Sequence, residues 1–180
     1  MTAGSRWSAL FADLEAQLDA AAAAERDGAV AELTRAEQAS VPLADRLRAA
    51  VGQAVRVELR DGDVVEGRLA HVAQEWFQLD ARTATRRVQH LVPTAAVATF
   101  AGLRPQATPS TTRTEALGLG SALRALQRDR RRVQVRTAAG TVVGRIDRVG
   151  RDHLDLTAVD GARGAVRVVP FAALLRVSEG

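Results

Sequence analysis

The run Arg128-Asp129-Arg130-Arg131-Arg132 sets four guanidinium groups within five residues, and Arg145, Arg148 and Arg151 follow at three-residue spacing. A guanidinium is planar, permanently charged and rich in fixed donors, so it grips phosphate oxygens in pairs. Clustered this way, the seven side chains point to polyanion contact, which weakens as salt rises. The competing account is a solvated helix end, where arginines favour the negative C-terminus of a helix over 121–128. Charge distribution favours the first account. Residues 1–50 hold 5 Arg and 8 acids, residues 51–102 hold 6 of each, and residues 103–180 hold 14 Arg and 7 acids. Any polyanion contact is therefore expected on the last part of the chain. All 25 basic residues are Arg and Ala is abundant, which fits a GC-rich bacterial coding bias. Position says more here than the choice of Arg over Lys.

Other chemistry is sparse. His71, His90 and His153 stand apart in sequence, with no carboxylate or second His at ligand spacing, so they read as surface or strand-end residues and no metal site is expected. The chain has no cysteine, which excludes disulfides, thiolate metal sites and cysteine nucleophiles and suits a reducing cytoplasm. Serines lack a partnering His, no glycine-rich phosphate loop occurs, and Asp61 and Asp63 read as exposed turn residues. No catalytic residues and no cofactor are expected. Trp76-Phe77 offers a stacking face, or else one ring fills a core and the other lies beneath an N-terminal helix, because strand neighbours face opposite sides.

The elements that carry these residues come from a repeat. Residues 55–102 and 133–180 can be superposed: VVEGRLAHV (64–72) on TVVGRIDRV (141–149), WFQL (76–79) on HLDL (153–156), and LVPTAAVATF (91–100) on VVPFAALLRV (168–177). Gly67 and Gly144, Pro93 and Pro170, and Phe100 and Val177 are each 77 residues apart. A constant offset across separate segments marks a duplicated module. In the first copy, Val55, Val57 and Leu59 alternate with Arg56 and Glu58 as in a half-buried strand. Asp61-Gly62 is a strong hairpin signal, and Ala139-Gly140 fills the same turn in the second copy. Gly67 and Gly144 fall mid-strand, where glycine suits a sharp bend. Polar hairpins at 81–87 and 158–164 precede a fourth strand ending in Val-Pro, then one turn and a short fifth strand. Short helices at 43–51 and 121–128 lead into the two copies.

Upstream, Trp7, Leu10, Phe11, Leu14 and Leu18 recur at three- and four-residue spacing, which predicts an amphipathic helix over 5–26. Gly28 is expected to break or bend it before a second segment from Ala29 to about Ala39. The stripe serves as an intramolecular lid or as a partner-binding helix. Residues 104–120, rich in Pro, Thr and Gly, read as a flexible linker. No apolar run reaches the length of a membrane span, and acids interrupt the N-terminus where a signal peptide would be apolar.

With a helix, then five short strands and a mid-strand bend, each half resembles the Sm-like (LSm) fold. V-x-V-x-L-x-D-G-x-V-V-x-G-x-L-x-x-V at 55–72 resembles the first Sm motif, and L-V-P-x-x-A-V at 91–97 takes the place of the second. The PRC barrel is also compatible with the second half, and the layout as a whole resembles proteins of actinobacteria. The resemblance implies a mainly β protein with N-terminal helices and two tandem Sm-like or SH3-like five-stranded small barrels, each preceded by a short helix. The expected segments are a helical region (1–40), a first helix and barrel (41–102), a linker (103–120) and a second helix and barrel (121–180). Such barrels bind RNA and associate through edge strands. The residues that hold uridine in that family are replaced here by Pro93-Thr94 and Pro170-Phe171 turns without Arg-Gly, so its usual pocket is not expected. The leading expectation is a non-enzymatic, cytoplasmic regulator that binds RNA or DNA through the basic second barrel. The rival is a scaffold that recruits protein partners or itself through barrel edges or the N-terminal helix.

Overall fold

The computed structural model describes residues 3–82, 86–111, 117–159 and 165–179, with the side chains of residues 3–9 and 30 left aside. The chain divides into two units, residues 1–41 and 42–180. Among its described residues the first holds one helix, α1 (Ala3–Ser40). Contrary to expectation it runs unbroken through Gly28, because one interior glycine costs only about 1 kcal/mol against Ala and strong helix formers surround it. It stops at Ser40 because Val41 precedes Pro42, and a residue before proline is pushed out of the helical region. Leu10, Phe11, Leu14 and Leu18 are exposed. The Trp7 side chain lies outside the described residues.

The second unit contains α2 (Leu43–Ala49), β1 (Ala54–Leu59), β2 (Val64–Val72), β3 (Trp76–Arg82), β4 (Arg87–Pro93), β5 (Val97–Ala101), α3 (Leu119–Asp129), β6 (Arg132–Thr137), β7 (Gly140–Val149), β8 (His153–Ala158), β9 (Val166–Pro170) and β10 (Arg176–Glu179). A 3-10 turn joins β4 to β5 and another joins β9 to β10. The strands form one antiparallel sheet in the order β5-β1-β2-β3-β4-β10-β6-β7-β8-β9. The 77-residue repeat is visible in this order, since the second five strands repeat the sequence of the first.

The sheet is continuous and open, which corrects the expectation of two closed barrels. The outer edge of β4 pairs with β10 of the other half instead of turning back on β5, with Leu91 opposite Val177 and His90 opposite Ser178. That leaves β5 and β9 as the two free edges. Each half still curls around a core of its own. β2 pairs with β1 through Val64–Arg68 and with β3 through Arg68–Val72, and the register shifts between Leu69 and His71. β7 repeats the shift between Ile146 and Arg148. Glycine is required next to these bends: a Cβ on Gly67 would stand 2.9 Å from the Asp80 carbonyl oxygen, and one on Gly144 would collide with that of Thr157.

Alternation along β1 buries Val55, Val57 and Leu59, as their spacing predicts, around Leu47 of α2 and Phe77. Leu123, Val135, Ile146, Leu154 and Leu156 form the second core. Side chains cross between the two. Trp76 and Ala73 of the first half belong to the second core, and Leu175 of the second half belongs to the first. Phe77 fills its own core beside Phe100, with ring centroids 5.5 Å apart. Trp76, facing the opposite way, is held in the second core, where its indole N–H donates to the Leu117 carbonyl at 3.0 Å.

The seam between β4 and β10 carries polar groups that the spacing of single residues does not announce. His90 is 9% exposed, and its Nδ1 lies 2.7 Å from Ser178 Oγ. Asp61, at the tip of the β1–β2 hairpin, accepts from Arg136 Nε of β6 at 2.8 Å, and Asp63 lies 3.3 Å from Arg176 of β10. The pair expected in an exposed turn is thus drawn into the junction. The segment after β5, expected to be flexible, is tied to α2 in its first part: Thr108 N–H donates to the Asp45 carbonyl at 2.9 Å, and Arg46 donates to the Arg104 carbonyl. Residues 112–116, like the hairpin tips at 83–85 and 160–164, lie outside the described residues.

Candidate nucleic-acid interface

Helix α3 begins after Gly118, where Glu75 of the first half accepts from the Leu119 N–H at 3.0 Å. It buries Leu119 and Leu123 on the second core and turns Arg124 and Arg128, four apart and therefore on one face, toward solvent. The helix ends at Arg130, whose φ of 51° is left-handed. That conformation is uncommon for a residue with a Cβ, and here it reverses the chain into β6 within two residues.

Between α3 and β7 lies a cleft of about 500 Å³ lined by Arg124, Gln127, Arg128, Arg130, Arg145, Ile146 and Asp147. Three of the seven sequence-predicted arginines, Arg128, Arg130 and Arg145, meet here. Arg132 sits beside them, directly across the sheet from Arg145. Two like charges opposite one another on a ladder are unfavourable unless an anion is shared. The other three disperse. Arg131 lies 3.6 Å from Glu179, Arg148 is exposed on β7 outside the cleft, and Arg151 lines a neighbouring cleft of about 660 Å³ with Ser121, Arg124 and Phe171.

Arg124 borders both clefts and was not among the predicted residues, although its four-residue spacing from Arg128 marks it in the sequence. Phe171 also joins the site. Its position in the turn after Val-Pro is readable from the repeat, but its place against α3 is not: the ring lies 3.5 Å from where a Cβ on Gly120 would stand.

Asp147 is the acid within the cleft. A hydrogen bond from the Thr157 hydroxyl, reinforced by Arg145, holds its carboxyl below the usual range. Arg145 is correspondingly engaged, at 3.0 Å from Asp147. Gln127 donates to the Asp147 carbonyl at 2.7 Å and Arg124 to the Gly150 carbonyl at 3.3 Å, so the cleft walls are tied together. Arg124, Arg128, Arg130 and Arg132 form no ion pair among the described residues. They are the charges available to an incoming anion.

The three histidines stay apart. His71 rests against Trp76 with ring centroids 5.3 Å apart, His153 Nδ1 lies 2.8 Å from Asp152, and His90 is in the seam, not at the surface as expected. No group of His, Cys, Asp or Glu among the described residues is arranged to hold a metal ion. No helix among them is long and apolar enough to cross a membrane. No family model and no curated protein matches the chain.

Proposed function

We propose that the chain is a non-enzymatic nucleic-acid-binding protein whose second half contacts the phosphate backbone of RNA or DNA through the cleft between α3 and β7. The carrying observation is the convergence of Arg124, Arg128, Arg130 and Arg145 on one open cleft that holds a single acid. Arg151 extends the track past Arg124 into the next cleft, where the half-buried Phe171 offers a ring edge. The dimensions suit a strand-like polyanion better than a compact solute, because two adjoining clefts share one arginine. Each half is read as a curled five-stranded module similar to the Sm-like fold, supported by the repeated strand order, the repeated bulge and the repeated mid-strand glycine. The cysteine-free chain suits a cytoplasmic setting.

Electrophoretic mobility shift with single-stranded RNA and duplex DNA at two salt concentrations tests the reading and separates the two ligands. Arg124→Ala/Arg128→Ala/Arg130→Ala is expected to weaken binding of every sequence alike and to lower the salt slope by roughly 2–3. Arg82→Ala/Arg87→Ala, in the first half, leaves both unchanged. Binding that survives the triple change with its slope intact, or no binding at low salt, overturns the proposal.

A second reading, a protein-interaction scaffold, is favoured by the exposed Leu10, Phe11, Leu14 and Leu18 stripe of α1. Deleting residues 1–39 should then abolish partner capture without altering nucleic-acid binding.

A further inference from the structure

An open furrow of about 620 Å³ runs beside β9, with Val142, Val168, Val169, Pro170 and Ala173 on its walls. Shifted by the 77-residue repeat, these positions become Val65, Leu91, Val92, Pro93 and Ala96 of the first half. There the same surface is covered. Leu175 joins Val65, Val92 and Ala96 in one core, and those three side chains are at most 3% exposed. In the second half the matching surface is bare: Val142 is half-buried, Pro170 and Ala173 are exposed, and Val168 is 63% exposed. The protein therefore carries one aliphatic seat filled by its own leucine and a copy of that seat left open.

The open copy also differs in charge. Arg60 and Arg167 line it, both exposed, and neither forms an ion pair among the described residues. At the position of Arg167 the filled copy has the buried, neutral ring of His90. Asp61, the acid on the same walls, is already bound to Arg136 at 2.8 Å. The furrow thus joins an aliphatic floor to two uncompensated guanidinium groups, and a guanidinium pairs with a carboxylate through two parallel hydrogen bonds.

We infer that this furrow binds a free single-chain aliphatic carboxylate, its hydrocarbon chain on Val142, Val168 and Ala173 and its carboxylate on the guanidinium groups of Arg60 and Arg167. The volume lies within the range of about 300–1,000 Å³ over which pockets take small ligands. Chain and head act separately: removal of apolar surface from water draws in the chain, and the charged groups fix its direction. None of these residues lines the cleft between α3 and β7, so the inference is independent of nucleic-acid binding.

Isothermal titration calorimetry on the full chain, with each ligand kept below its micelle concentration, tests this. Dodecanoate should bind, and decanoate and octanoate should bind more weakly by about fourfold per methylene lost, the ratio that about 0.8 kcal/mol per buried CH₂ gives. Dodecyltrimethylammonium, with the same chain and the opposite charge, should bind about tenfold more weakly or worse. Arg60→Gln/Arg167→Gln should erase the difference between the two head groups and keep the dependence on chain length. Val168→Asp should weaken dodecanoate by about tenfold or more. All three positions are exposed, so these variants should keep the circular dichroism spectrum of the parent. Leu14→Glu/Leu18→Glu, on the exposed stripe of α1, should change nothing. The inference is overturned if dodecanoate does not bind, if octanoate binds as tightly, or if the parent chain favours neither head group. Binding indifferent to Val168→Asp, or lost with the α1 stripe, overturns it equally.

Discussion

The two halves share strand order, bulge and mid-strand glycine, yet only the first has its β4 edge covered. Some of the residues that differ between them are ones that cross between the halves. At position 76 the first half places Trp in the other core, and the second half has His153 at its surface beside Asp152. At position 61 the first half has an acid bound to Arg136, and the second has exposed Ala138. The fold occurs twice and the interface once, and at these two positions the copies differ according to which side of that interface the residue occupies. Charge follows the same division: the first half is neutral, while the second carries the arginine cleft on a helix end and strand that do not take part in the seam.

The contrast is broken most severely at Trp76. Trp76→Ala empties a site in the second core and removes a hydrogen bond to Leu117, and should cost about 3–5 kcal/mol in urea denaturation. His153→Ala, at the matching position, should cost under about 1 kcal/mol.

Titration of His90 sharpens the contrast next. Burial, aided by the charge of Arg176 and opposed by that of Asp63, lowers its pKa from 6.5 to about 4, so the ring is neutral in the fold while the unfolded chain takes up the proton first. Stability from this group is complete above pH 6.5 and is lost as pH falls toward about 4, by on the order of 3 kcal/mol. His90→Asn should flatten that part of a stability–pH curve. A slope that persists in the variant would place the titration elsewhere.

The smallest effect belongs to the hairpin tip. Burial pushes the Asp61 carboxyl up, but hydrogen bonds from the Asp63 amide and Arg136, with the charge of Arg136, outweigh it and hold the pKa below 3.8. Its contribution is present above that pH and disappears on further acidification, a window distinct from that of His90. Asp61→Asn should cost about 1–2 kcal/mol at neutral pH, discounted because Arg136 is one-third exposed. Ala138→Asn, its counterpart, should stay within about 0.5 kcal/mol of the parent by thermal denaturation.

What could be read from sequence was local or periodic. Alternation at Val55, Val57 and Leu59 located β1, the Asp61-Gly62 pair located the hairpin with Gly62 at φ 82°, and the constant offset located five strands twice. The seam was not legible, because nothing near His90 records that Ser178 will lie beside it, and a strand edge looks the same whether it closes on its own half or on another. The continuity of α1 is not legible, because Gly28 is a weak breaker when its neighbours favour helix. Within the candidate interface, clustering in sequence located Arg128, Arg130 and Arg145, while Arg131, Arg148 and Arg151 point elsewhere because neighbours in a turn or on alternate strand positions diverge in space. Arg124 required the helical period instead of the run.

β10, a strand of only four residues, is the splice between the halves: it joins β4 to β6, and the pair it completes, His90 with Ser178, spans 88 positions of chain. During translation both halves have almost all their strands before this splice exists, so β4 waits with a bare edge while the rest of the protein is made. For that interval the nascent chain is open to mispairing with a neighbour on the same message. The short-lived vulnerability is a consequence of placing the last described strand at the centre of the sheet.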